Sequence, residues 1–208
     1  KNIAYYKFNE KNVPDFSMDV FKGNLYPIQK KFKYPKAGEK NSVVKIYLYN
    51  LEDKTNKFIY TKKDYEYIPR IKWTKDPEKL ILYGMNRHQN ELDFIIVNSL
   101  DGSNHILFTE TDKYYIDIHD NLTFLADNKF IWTSEKDGYN HIYLKDLNGL
   151  EIQLTKGEWE VTDFHGINSD LMKLYYTSTE DGSTNRSLFV LDLNLEKTTK
   201  LSKEIGTN

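Results

Sequence analysis

The sequence predicts an all-β protein built from repeated four-stranded antiparallel sheets, a partial β-propeller of about four blades. Three observations carry this. Short β-branched and aromatic runs recur between clusters of Gly, Asn, Asp, Ser and Pro, as in Ile3-Ala4-Tyr5-Tyr6-Lys7-Phe8, Val43-Val44-Lys45-Ile46-Tyr47-Leu48-Tyr49, Phe94-Ile95-Ile96-Val97, Lys129-Phe130-Ile131-Trp132 and Leu188-Phe189-Val190-Leu191. No window presents an i, i+3, i+4, i+7 apolar face with caps, so helix should be scarce. Two markers also return at a steady interval along the 208 residues.

The first marker is a strand ending in a hydroxyl residue: Thr61, Thr109, Thr155 and Ser202, spaced by 48, 46 and 47 positions. The second is a turn leucine just before it: Leu51, Leu100, Leu147 and Leu193, spaced by 49, 47 and 46. The repeats run over residues 1–61, 67–109, 114–155 and 161–202. The third displays the full order, with strands near 122–125, 130–134, 141–144 and 152–155. A period of about 45 residues suits a propeller blade, whereas a β-sandwich needs about 100 residues and seven strands. The first repeat has no room for its leading strand, and residues 203–208 stop where another blade would start. The four blades are therefore expected to be an arc of a larger ring, which would close to leave no edge unpaired.

Within the repeats, Asp137-Gly138 and Asp181-Gly182 supply hairpin turns. Trp73, Trp132 and Trp159 are expected to pack between neighbouring blades. Arg87, beside Asn90, is expected to tie adjacent loops by hydrogen bonds, and His141 to cap the turn at Gly138. Residues 10–42 form a long insertion in the first blade. Val13, Met18, Val20, Leu25, Ile28 and their neighbours make it too apolar for a free linker, so it should pack on its own domain or on a partner.

Composition excludes several functions. Lys plus Arg number 29 and Asp plus Glu 31, a net charge of −2, which gives no electrostatic reason to expect nucleic acid. No apolar run is long enough for a membrane-spanning helix. The absence of cysteine removes disulfides, thiolate metal sites and thiol catalysis. His88, His105, His119, His141 and His165 show no metal-binding spacing, so no metal is predicted. Carboxylates such as Glu52-Asp53 read as solvated loop charges.

Several longer motifs are more particular: Tyr34-Pro35-Lys36-Ala37-Gly38-Glu39-Lys40-Asn41, Tyr67-Ile68-Pro69-Arg70-Ile71-Lys72-Trp73-Thr74, Asn86-Arg87-His88-Gln89-Asn90, the run from Trp132 through Asp137-Gly138-Tyr139-Asn140-His141 to Leu144, and Leu154-Thr155-Lys156-Gly157-Glu158-Trp159-Glu160-Val161. In this order and spacing, over nearly the whole chain, they closely resemble the N-terminal propeller of the dipeptidyl peptidase IV family, among the prolyl oligopeptidase-like serine peptidases. The resemblance implies an eight-bladed propeller followed by an α/β-hydrolase domain carrying the serine, aspartate and histidine. It implies removal of N-terminal dipeptides with proline or alanine second, a homodimer, and a periplasmic, cell-surface or extracellular location.

No G-x-S-x-G elbow and no Glu-Glu pair occur here. The chain is thus expected to be catalytically silent by itself and to need no cofactor. The family's pocket arginine and aromatic would fall around residues 110–120, where this sequence has no arginine. The resemblance leaves Tyr114 or Tyr115 to line the pocket and Asp117 to make a polar contact. It also makes the insertion an arm at the dimer interface, with Phe21, Tyr26, Phe32, Tyr34 and Pro35 as candidate contacts. The expected function is to gate and orient peptide substrate for the hydrolase domain. The alternative is a propeller with no enzyme attached that binds peptides or glycans.

Overall fold

In the computed structural model, which describes every residue except Ile205 and Asn208, the apolar runs are strands, and no helix occurs among the described residues. The chain opens with β1 (Asn2–Asn9), a hairpin of β2 (Asp15–Val20) and β3 (Ile28–Lys33), then β4 (Val43–Asn50) and β5 (Asn56–Phe58). Next come β6 (Ile71–Trp73), β7 (Lys79–Met85), β8 (Glu91–Asn98) and β9 (Asn104–Thr111). They are followed by β10 (Thr123–Phe124), β11 (Lys129–Ser134), β12 (His141–Asp146) and β13 (Glu151–Gln153). The last group is β14 (Val161–Asn168), β15 (Lys173–Ser178), β16 (Ser187–Asp192) and β17 (Lys197–Lys200). Each of the last three groups is one antiparallel sheet in chain order, and the first is a three-stranded sheet β1-β4-β5 without a leading strand.

Side-chain alternation explains why the middle strands are buried on both faces. On β7, Leu80 and Leu82 face the first sheet, where they meet Ile46 and Leu48. Ile81, Tyr83 and Met85 face the third sheet and its Phe130 and Trp132. On β11 the intervening Ile131 turns to the fourth sheet, toward Leu174 and Tyr176. The core is therefore a series of seams between sheets. Each tryptophan sits in a seam: Trp73 in the first, Trp132 in the second, Trp159 in the third.

The structure gives physical meaning to the repeat markers and corrects two of them. At the end of each third strand an Asn or Asp folds its side chain back onto the turn. Asn50 Oδ1 accepts the Glu52 N–H (2.8 Å), Asn98 that of Leu100 (2.8 Å), Asp146 that of Asn148 (2.8 Å) and Asp192 that of Asn194 (3.0 Å). The following residue donates its N–H to the carbonyl just before the second strand: Leu51 to Lys1, Ser99 to Glu78, Leu147 to Asn128 and Leu193 to Met172. The second sheet's equivalent of the turn leucine is thus Ser99, and Leu100 is exposed.

In the third and fourth sheets the hydroxyl marker closes the outer strand where the ladder ends, whereas in the second Thr109 lies inside β9, two residues before its end at Thr111. Thr155 Oγ1 accepts the Ile142 N–H (2.9 Å), Ser202 Oγ that of Leu188 (3.2 Å), and Thr109 Oγ1 donates to Asp93 (2.5 Å). Thr61 departs from this and donates to Lys63 O (3.0 Å). His141 does not cap the turn at Gly138. Its ring lies 3.1 Å from both Thr155 Oγ1 and Gly157 O, edge-on to Trp159. The turn itself closes through the Gly138 N–H to Glu135 O (2.8 Å), with Gly138 at φ +105°.

Residues 10–42 are not an irregular loop. Their centre is the β2–β3 ribbon, whose strands pair with each other and with no other strand among the described residues. The pairing puts Phe16 opposite Phe32, Met18 opposite Lys30 and Val20 opposite Ile28 on one face. The other face carries the Asp15–Lys33 ion pair and the Ser17–Gln29–Asp19 hydrogen bonds.

Candidate functional site

A cavity of about 330 Å³ opens between the second and third sheets. One wall is the segment leaving β9. Asp112 starts it by accepting the N–H groups of Tyr114 (2.6 Å) and Tyr115 (3.1 Å) on its carboxylate. Ile116 is buried and plugs the segment into the seam. This puts Tyr115 and Asp117 in the cavity wall, whereas Tyr114 is exposed, outside the lining, with Lys113 over its ring. Of the three residues expected here, two are brought together and one is not.

The deeper wall holds charged groups that sequence reading passed over. Glu110, one residue past the Thr109 marker, accepts a hydrogen bond from the Trp132 indole (2.8 Å). Burial raises its carboxyl above the usual range, against hydrogen bonds from Ser134 and Trp132 and the charges of Lys145 and Lys136. Lys145 lies 3.8 Å over the Phe108 ring and pairs with Glu151 at 2.7 Å. Lys136 pairs with the other oxygen of the same carboxylate. Burial would raise Glu151, but hydrogen bonds from Lys136 and Lys145 bring it below its ordinary value. The Asn148-Gly149 turn was the available signal, since it sets the hairpin register that puts Lys145 opposite Glu151.

Nearer the mouth, burial raises Glu135, and the charges of Asp117, Glu160 and Asp112 add to it. The His119 ring lies 4.1 Å from that of Trp132, tilted by 33°, and burial lowers its pKa. Its Nε2 is 3.0 Å from Thr133 O and its Nδ1 accepts the Asn121 N–H (3.3 Å), the arrangement of a neutral imidazole. Neither Asp117 nor Glu135 has an ion-pair partner among the described residues, so the mouth is acidic. No histidine lies against a serine hydroxyl, and no group of three metal-donor side chains occurs, among the described residues. Hydrogen-bond donors and cationic groups fit this wall, and the hydroxyl that meets an imidazole here is that of buried Thr133, 3.0 Å from His119 Nε2.

A larger cavity, about 730 Å³, lies where the ribbon root meets the first two sheets. Tyr6, Phe8, Val13, Pro35, Tyr67 and Arg70 are among its lining residues. Of the arm candidates, Pro35 lines this cavity, and Phe32 and Tyr34 form an aromatic cluster with Phe16, with ring centres 5.6–6.1 Å apart. Phe21 and Tyr26 stand exposed at the ribbon tip beside Leu25.

Comparison with known proteins covers nearly the whole chain. The family model described as the dipeptidyl peptidase IV (DPP IV) N-terminal region matches residues 1–208. The crystal structure of Porphyromonas gingivalis dipeptidyl peptidase 4 superposes with a TM-score of 0.91 at 34% identity, over 99% of this chain and 30% of that one. Among curated proteins, a probable dipeptidyl peptidase 4 of Emericella nidulans is 29% identical over 90% of this chain and 27% of its own length. The inactive dipeptidyl peptidase 10 of Mus musculus is 29% identical over 91% of this chain and 26% of its own. The chain spans less than a third of the length of each of these relatives.

Proposed function

This chain belongs to the dipeptidyl peptidase IV N-terminal-region family, and from that premise we propose that it is the non-catalytic propeller segment of a serine exopeptidase releasing N-terminal Xaa-Pro or Xaa-Ala dipeptides. The acidic cavity carries this reading: a polar recess of about 330 Å³ stands beside Tyr115 and Asp117, and no Ser–His pair occurs among the described residues. Bond breaking falls to an α/β-hydrolase domain elsewhere in the full-length protein. The propeller walls off the active site, limits access to unfolded peptide ends and orients them, which converts binding into rate. No cofactor enters this chemistry.

The ribbon supports a second part of the reading, homodimerisation. An isolated two-stranded hairpin is at best marginally stable in water, and this one exposes Phe21, Leu25, Tyr26 and Ile28. Docking on a second subunit supplies the missing cover. The same reading has the full-length protein working in the periplasm or at the cell surface, which cell fractionation tests.

Assay of the full-length protein with a Gly-Pro chromogenic amide tests the peptidase reading. The expected result is release of the leaving group, abolished by a serine-directed inhibitor. A folded full-length protein that binds peptides but does not turn over the amide favours a peptide-binding or glycan-binding propeller instead. A relative named inactive keeps that second reading open.

A further inference from the structure

The ribbon root and the cavity wall lie on different sheets, and one short turn joins them. We infer that Arg87, in the turn between β7 and β8, is a positioning residue that fastens the root of the ribbon to the segment lining the acidic cavity, so that displacement of one reaches the other.

Three sets of bonds converge on this turn. Arg87 Nη2 donates to Glu39 O (2.8 Å), on the chain returning from the ribbon, and Nη1 donates to Glu66 Oε1 (2.6 Å), on the link between the first two sheets. Glu66 Oε1 also accepts from Asn41 Nδ2 (2.7 Å), just past the ribbon, so one carboxylate holds both. Glu39 is itself fixed by a small turn, its carboxylate accepting the Lys36 N–H (2.8 Å) and its N–H donating to Lys36 O (3.0 Å).

On the other side, Gln89 O accepts the Ile116 N–H (2.9 Å) and Asn90 O accepts the Asp112 N–H (3.0 Å). Those two bonds bracket Tyr115, and Asp117 follows directly, so the cavity-lining segment hangs on the carbonyls of the Arg87 turn. The turn is built to be stiff. Gln89 sits at φ +58°, a conformation a side-chain-bearing residue keeps only when its surroundings over-determine it. Asn86 Oδ1 provides this by accepting the N–H groups of Asn90 (3.1 Å) and Glu91 (3.3 Å). A guanidinium fork suits the hub because its donors are fixed in one plane and reach two partners at once; a lysine offers one flexible point charge.

The test is hydrogen–deuterium exchange of the full-length protein, read by mass spectrometry over residues 34–41 and 110–117, for wild type, Arg87→Met and Arg87→Lys. Removing two charge-assisted bonds is expected to speed exchange about tenfold in both segments, with Arg87→Lys in between. An unchanged melting temperature shows that the effect is local. Faster exchange confined to residues 34–41 overturns the inference, because the turn would then not transmit to the cavity.

The consequence for substrate rests on the peptidase reading above. If that holds, Arg87→Met raises KM for a peptide substrate about threefold with kcat kept, the signature of lost positioning in binding. Coupled exchange with an unmoved KM supports the mechanical link and rejects the cavity as the substrate wall.

Discussion

The second inter-sheet seam and the β2–β3 ribbon are made of similar residues and behave oppositely. In the seam, Trp132 is edge-on to Phe94 (4.7 Å) and Tyr83 (5.9 Å), and all three are fully buried. In the ribbon, Phe16, Phe32 and Tyr34 touch one another, yet Phe21, Leu25 and Tyr26 are left in solvent. The difference is geometric. A seam ring is covered by a sheet on each side, whereas a two-stranded ribbon covers its rings from one side only. Aromatic content therefore marks a core in the first case and an unfinished surface in the second.

The largest way to break this contrast is Trp132→Ala, which empties the seam and leaves Glu110 without its indole donor. It is expected to cost about 3–5 kcal/mol in denaturant unfolding. A cost under about 1 kcal/mol would mean that the seam is not what holds the second and third sheets together.

Next is Gly84→Ala. A Cβ on Gly84 would meet the Tyr65 ring at 2.6 Å, and Tyr65 must lie there for its hydroxyl to reach Asp93 at 2.8 Å. The expected loss is about 1–3 kcal/mol, and Tyr65→Ala in the same background should remove most of the additional penalty of the clash.

Two carboxylates sharpen the comparison through opposite pH signs. Burial alone would raise Asp93, but hydrogen bonds from Thr109, Lys63 and Tyr65 outweigh it and hold it below the usual carboxylate range. Its contribution is therefore full above its unfolded pKa, about 3.9, and is lost as pH falls through the lower folded value. Glu110 is raised by burial, so the folded state takes up its proton first, and its contribution grows as pH falls through the folded value toward the unfolded one. Comparing denaturation against pH for Asp93→Asn and Glu110→Gln should show the first losing an acid-labile term. The second should match or exceed wild type at neutral pH by about 1 kcal/mol. The same sign for both would refute the assignment.

The smallest effect on stability belongs to the ribbon tip. Phe21→Ser with Tyr26→Ser should change unfolding free energy by no more than about 0.5 kcal/mol, because both rings are already solvated. Light scattering of the full-length protein should nevertheless show a weakened dimer. An unchanged dimer would remove the ribbon from the interface.

Much of this was legible in the residues. The apolar run Phe94-Ile95-Ile96-Val97 announces a strand, which the fold buries on both faces, and the recurring turn leucine announces the hairpins at Leu51, Leu147 and Leu193. Other features were not. Leu100 looks like its counterparts in sequence, yet Ser99 takes the structural place. Tyr114 and Tyr115 are indistinguishable as letters, and only the Asp112 turn decides which one meets the cavity. The Arg87 motif was readable as a loop tie, but its partners Glu39 and Glu66 were not, being 48 and 21 residues away.

Strand periodicity, turn chemistry and the repeat are encoded locally, within a few bonds of each residue, so the chain carries them by itself. Which ring fills which seam, which lysines share Glu151, and where the ribbon stands free depend on how separate sheets stack. That stacking follows from twist, side-chain volume and the absence of a second cover, and these exist only once the sheets have come together.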